Sequence, residues 1–261
     1  MKLLTPSLIL AALVATSPLA AQTPADKGLA IAKEAEKRDQ GWENSESTME
    51  MVLRNRHGQE SIREMRSRTL EVADDGDKSL IIFDHPKDVR GTALLTFSHK
   101  TGDDDQWLYL PALKRVKRIA SSNKSGPFMG SEFAYEDISS QEVEKYTYKY
   151  LRDEPCGELT CFVVERYPVD EKSGYTKQVT WIDQSEYRVQ KVEYYDRKQS
   201  HLKTLVFHDY QEYQDKHWRA DRLEMVNHQT GKSTTLKFSD YRFKTDLDEG
   251  DFDQASLARA R

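Results

Sequence analysis

The sequence predicts a mainly β chain built on one large antiparallel sheet that must curl, with a helix and a loop-rich stretch left to cover it. Three observations carry that expectation. From Met49 onward, apolar and polar residues alternate in about a dozen short runs. Turn residues separate these runs at hairpin spacing, as in Thr101-Gly102-Asp103, Lys172-Ser173-Gly174 and Thr230-Gly231-Lys232. Only Asp26 to Gln40 shows helical spacing, and Gly41 follows it as a stop.

Within that helix Leu29, Ala32, Ala35 and Glu36 form a weak apolar face, with Lys33, Lys37 and Arg38 outside it. Met49, Met51 and Leu53 then alternate with polar neighbours, and Asn55-Arg56-His57-Gly58 closes a turn. Further runs are 61–72, 79–83, 93–98, 106–110, 146–151, 159–167, 177–183, 188–195, 202–210, 218–226 and 234–243. A sheet this long curls or closes. If it curls without closing, its concave face needs a cover, and Asp26–Gln40 and Pro111–Glu142 are the segments free to supply one. A filled sandwich uses the same alternation, and periodicity does not separate the two. No repeat or low-complexity linker marks a second domain.

The first 21 residues read as a secretory leader. Lys2 precedes an apolar run, Leu3 to Leu13, and small residues lead to a cleavage position after Ala21. The run is shorter than the roughly 20 residues of a membrane-spanning helix. The expectation is an exported, periplasmic protein whose residues 22–261 form a single domain. A net charge of −5 argues against a nucleic-acid binder. The two cysteines, Cys156 and Cys161, flank Gly-Glu-Leu-Thr and in an oxidising compartment predict a disulfide across a tight hairpin. So short a ring stabilises by only ~2 kcal/mol in the chain-entropy picture.

Catalytic signatures are missing from the sequence. The seven histidines have no zinc-binding spacing. There is no Gly-x-Ser-x-Gly elbow and no phosphate-binding glycine loop. Asp103-Asp104-Asp105 reads as a turn whose carboxylates point apart rather than as a metal site. The chain is therefore expected not to be an enzyme and to need no cofactor or metal.

The most informative stretch is 107–137. An aromatic strand stops at Pro111 and enters the basic run Lys114-Arg115-Val116-Lys117-Arg118. A Ser/Gly-rich loop follows, with Phe128 and Met129 at its tip. Apolar residues on such a loop usually cover something, so Phe128 and Met129 are candidate lid residues. Lys114, Arg115, Lys117 and Arg118 are candidates for contact with an anionic headgroup or a membrane surface. The plainer alternative is a solvated charge run beside a loop packed on its own core.

The runs 102–116 (GDDDQWLYLPALKRV) and 130–137 (GSEFAYED) resemble bacterial outer-membrane lipoprotein-sorting proteins. These belong to the LolA/LolB-like fold group, in a branch associated with RND-type lipid exporters. Val192-Glu193-Tyr194-Tyr195-Asp196, residues 222–228 and the tail Phe252 to Arg259 fit the same pattern, so the resemblance covers essentially the whole mature chain. It implies a curved antiparallel half-barrel, here of about eleven strands, over an apolar cavity under an α-helical lid that holds acyl chains. Met49, Met51, Leu53, Leu95, Phe97, Trp107 and Tyr109 are the candidate cavity lining, though the same residues also make ordinary β core. The expected function is a periplasmic carrier of a lipid or lipoprotein, working with an RND-type exporter or an outer-membrane acceptor. The alternative is an adaptor of such an exporter that carries no cargo.

Overall fold

The computed structural model describes residues 22–259, so the expected leader, residues 1–21, lies outside them. Helix α1 spans Pro24–Asp39. Thr23 caps it, its hydroxyl accepting from the backbone N–H of Asp26 at 3.1 Å. Pro24 occupies the first turn and Lys37 and Arg38 the last, each where a helix tolerates or favours it.

Six strands follow: β1 (Asn44–Arg54), β2 (Glu60–Leu70), β3 (Lys78–His85), β4 (Ala93–Phe97), β5 (Asp105–Leu110) and β6 (Arg115–Ile119). After a one-turn helix, α2 (Tyr135–Ile138), come β7 (Tyr146–Cys156), β8 (Leu159–Pro168), β9 (Tyr175–Asp183) and β10 (Val189–Asp196). The last are β11 (His201–Tyr213), β12 (His217–Asn227) and β13 (Ser233–Phe243). Thirteen strands thus replace the expected eleven or so. The strand hardest to see in the sequence is β6, which carries Arg115, Lys117 and Arg118 in five residues.

All thirteen strands belong to one sheet, in the order β6-β5-β4-β3-β2-β1-β13-β12-β11-β10-β9-β8-β7. Every named pairing is antiparallel. The sheet does not close, because β6 and β7 are its two edges. This is the curved half-barrel, not the sandwich. One consequence is topological: β6 and β7 are consecutive in the chain but lie at opposite edges. Residues 120–145 therefore have to cross from one edge to the other.

That crossing segment fills part of the concave face. Phe128 and Phe133 are buried in one cluster with Met49, Met51, Met65, Phe83, Leu94 and Met225. The convex face of the β2–β6 half is covered as well. There the C-terminal turn, Gln254–Arg259, places Leu257, with Phe252 just before it, against Leu80, Ile82, Ala93 and Leu95. Among the described residues no helix is long and apolar enough to cross a membrane.

Candidate functional site: a hollow beneath the lid helix

The part of the concave face nearest α1 is not filled. A cavity of about 870 Å³ lies there, bounded by α1, by the inner face of the β7–β12 half and by the segments 71–77 and 140–143. That volume falls within the ~300–1,000 Å³ of typical ligand pockets.

Local sequence explains how α1 comes to roof this space. Gly28 is buried against edge strand β7, and a Cβ there would stand 2.9 Å from the backbone nitrogen of Tyr150. Only glycine lets helix and strand approach so closely. Ile31 packs with Val164 and Ile182 of the sheet. Lys27 Nζ sits 3.5 Å from the centre of the Tyr150 ring, and Arg38 donates to the carbonyl of Ser185 at 2.7 Å. These contacts seat one side of the helix on β7–β9 and tie both its ends. Ala32, Ala35 and Glu36 are left facing the hollow.

The walls mix apolar and charged side chains. Val164, Ile182, Val189, Phe207 and Trp218 supply the apolar part. The five basic lining residues all have partners. Arg188 donates to Asp183 at 2.9 Å and lies over the rings of Tyr210 and Trp218. Arg166 donates to Gln178 Oε1 at 2.6 Å. Lys100 reaches the carbonyl of Ala73 at 3.3 Å, and Lys216 the carbonyl of Gln40. Arg38 is tied to Glu34 as well as to Ser185.

Six lining carboxylates have no such counter-ion among the described residues. Glu212 and Asp215 are exposed, and Glu71 accepts from the backbone N–H groups of Gly41 and Glu43. Glu36, Asp77 and Glu142 remain. Glu142 is only 8% exposed. Its side chain accepts no hydrogen bond from a described residue. Glu36 projects from α1; burial, then the neighbouring Glu144 and Glu142, raises its carboxyl above the ordinary value. Burial also pushes Asp77 up to about 7, with Glu142 adding to the effect. Asp77 accepts only from the backbone N–H of Val72 at 3.2 Å and, at 3.5 Å, from Ser140. The Thr180 hydroxyl, on the inner wall, is buried without a partner. Glu36, Glu142 and Glu144 lie with carboxylate oxygens within 4.8 Å of one another, the group among the described residues that could hold an ion.

The filled part is locked by polar contacts between the 130–137 run and strands β9, β11 and β12. Lys203 and Asp137 form a 2.6 Å ion pair with both side chains under 5% exposed. Tyr175 Oη donates to Asp137 at 2.9 Å, and Asn227 Nδ2 to Glu132 at 2.7 Å. Glu136 accepts from Ser173 Oγ at 2.7 Å and Gly174 N at 2.8 Å. The loop that carries the lid candidates Phe128 and Met129 is thus held across the sheet by the run that follows it.

The residues expected to line the cavity are accordingly rearranged. None of the seven lines the hollow. Met49, Met51 and Leu53 face the concave side but pack in or against the cluster that contains Phe128. Leu95, Phe97, Trp107 and Tyr109 lie on the convex face with Phe252 and Leu257, a correction with a simple cause. Both faces of β3–β5 are covered, so both phases of the alternation are apolar and the pleat direction cannot be read from residue type. Phe128 is fully buried between Phe83 and Tyr135 rather than at a cavity mouth. Met129 packs beside it, and Arg63 donates to its carbonyl.

Lys114, Arg115, Lys117 and Arg118 are all exposed on or next to edge strand β6 and do not line the hollow. Arg118 pairs with Asp105. The aspartate triplet behaves as a turn, Asp103 bonding Lys172 and Ser121, and Asp104 bonding Lys145. Cys156 and Cys161 form the expected disulfide, Cα atoms 5.9 Å apart, across the β7–β8 hairpin. Sequence reasoning missed Asp77 and Glu142. Glu36 left one visible signal, a carboxylate on the apolar face of a helix.

Comparison with known proteins places this architecture. A family model described only as an uncharacterized-protein family matches residues 75–259. No curated protein matches the chain. Among solved structures, one described as an outer membrane lipoprotein-sorting protein domain from Vibrio parahaemolyticus is 60% identical, with a TM-score of 0.89 over 90% of this chain and 100% of that one. A DUF1329 family protein from Desulfovibrio piger is 29% identical, with a TM-score of 0.85 over 90% and 99%. A LolA superfamily protein from Nitrosomonas europaea, 21% identical, shares the fold at a TM-score of 0.70 over 87% and 98%. The half-barrel, the covering helix and a 60% identical relative together show that the chain belongs to the outer-membrane lipoprotein-sorting family, with the LolA-like fold.

Proposed function

We propose that this protein is a periplasmic, non-enzymatic carrier. In this reading residues 22–261 act as one lipid-binding domain, and the hollow beneath α1 shelters the acyl chains of a lipid or lipoprotein moving between inner- and outer-membrane components. The observation that carries the reading is the cavity of about 870 Å³ beside a helix that is seated on β7–β9 along one side and leaves Ala32, Ala35 and Glu36 facing the space. Membership of a family whose Vibrio member is described as lipoprotein-sorting supports it.

Burial of an acyl chain yields roughly 0.8 kcal/mol per methylene, so a few methylenes against Val164, Ile182 and Phe207 give useful affinity without a specific polar contact. Release then follows from tilting α1 away from the sheet. The basic residues Lys114, Arg115 and Lys117 have no ion-pair partner among the described residues. We assign them to an acidic surface of an acceptor membrane or of an RND-type exporter, outside the cargo site.

The test is to purify the mature protein without detergent, extract it with organic solvent and identify bound lipid by mass spectrometry. Wild type should carry near-stoichiometric lipid, and Ala35→Trp, which fills the hollow from the helix side, should carry little. A lipid-free wild type that also ignores added fluorescent fatty acid would sink the carrier reading and favour a cargo-free adaptor.

A further inference from the structure

We infer that the hollow selects cargo bearing a positively charged ammonium group, which Glu36, Asp77 and Glu142 receive while the tail lies along the apolar wall. This deepens the carrier reading and rests on it. The inference starts from a charge imbalance inside one cavity. All five bases that line it are engaged by protein acceptors or aromatic rings. Glu36 and Glu142 have no donor, and Asp77 has only a backbone N–H and a distant hydroxyl. A carboxylate removed from water without a counter-ion is costly, so an empty hollow of this kind is electrostatically incomplete.

The unpartnered hydroxyl of Thr180, 3% exposed and on the same wall, is a further polar group without a protein partner. An ammonium group supplies up to three N–H donors in a compact charge. That suits Glu36 of the helix and Glu142 of the body, whose carboxylate oxygens lie within 4.8 Å of one another, with Asp77 lining the same cavity. The charged neighbours belong in the same balance. Lys100 acts on Glu36 from the rim and Lys33 from the helix, while Glu142, Glu71 and Asp39 act on Asp77.

A metal ion accounts for less of the site. Glu36, Glu142 and Glu144 alone would seat it. A bare ion held there leaves the apolar wall of the same cavity unused, whereas an amphiphile with an ammonium head draws on both. Glu36 belongs to the lid helix, and Asp77 and Glu142 to the body beneath it. A cargo ammonium bonded to both sides would therefore latch α1 shut, and its removal would free the helix.

The experiment uses three chain-matched probes, dodecylamine, dodecanol and dodecanoate, titrated calorimetrically below their micelle concentrations into delipidated full mature protein. The amine should bind about tenfold or more tightly than the carboxylate, as hydrogen bonds to a charged group imply. Glu142→Gln and Asp77→Asn, both close in shape to the native residues, should bring that ratio towards one. A cooperative urea transition of each variant reports that it is folded. Equal binding of all three probes by wild type would overturn the cation subsite and leave the carrier intact. Failure of all three to bind would overturn both. Calcium chloride binding tightly without any amphiphile, lost in Glu142→Gln, would overturn the ammonium assignment in favour of an inorganic cation.

Discussion

Two parts of one concave surface have opposite characters. In one the strap from 120 to 145 lies on the sheet, and Phe128 and Phe133 complete a close-packed apolar core that runs from β1–β5 across to Tyr175, Val192, Leu205 and Met225. In the other α1 stands over the inner face of β7–β12, and the space between them holds unpaired carboxylates and an apolar wall. The same antiparallel alternation builds both parts. What differs is the cover: a strap pinned by a buried ion pair in one, and in the other a helix whose inward positions are alanines and a glutamate. A half-barrel with an uncovered concave face would expose a large apolar surface. Filling one part supplies stability and leaves the other part free to bind.

The contrast can be broken most severely at the strap. Phe128→Ala should cost about 3–5 kcal/mol, the usual cost of removing a fully buried aromatic, read from urea unfolding. Lys203→Ala leaves Asp137 buried without its counter-ion and should also cost about 3–5 kcal/mol. Opening the disulfide by Cys156→Ser with Cys161→Ser should cost only ~2 kcal/mol. Ala35→Trp, in the open part, should leave stability within about 1 kcal/mol, since it fills empty space. If Ala35→Trp unfolded the protein as readily as Phe128→Ala, the two parts would not differ as described.

A subtler difference lies in pH dependence. Asp77 titrates near 7 in the folded chain against an ordinary 3.8. Between about pH 4 and 7 the folded chain keeps a proton that the unfolded chain has released, so its contribution to stability falls as the pH rises through that window. Asp77→Asn should flatten that fall relative to wild type in urea midpoints taken at pH 4, 5.5 and 7. A parallel decline in both proteins would assign it elsewhere. Asp75, held down to about 2 by its hydrogen bond to His99, acts below this window. The smallest effect belongs to Lys114→Ala and Lys117→Ala, exposed and unpaired, which should change stability by less than about 0.5 kcal/mol.

The fold was largely legible in the sequence because turn residues and period-two runs are local signals. The helix, the hairpin disulfide and the open curved sheet followed from them together with the resemblance at 102–116 and 130–137. Strand β6 was obscured because an edge strand needs few apolar residues. The binding site was much less legible. Leu94 and Leu95 are equally buried, and nothing local says which faces the inside. Phe128 looked like a lid because its loop is rich in Ser and Gly. Its burial depends on β6 and β7 lying at opposite edges, a property of the whole topology. Asp77 sits in the β2–β3 connection and Glu142 near the end of the 120–145 strap, in an acidic chain where two carboxylates more attract no notice.

The central claim is that cargo lies beneath α1 and not beneath the strap. The most direct measurement is photo-crosslinking with a diazirine fatty acid, followed by peptide mapping of the adducts by mass spectrometry. Adducts on Ala35, Val164, Ile182 and Phe207 are the predicted result. Adducts concentrated on Met49, Met51 and Phe128 would place cargo under the strap and contradict the account.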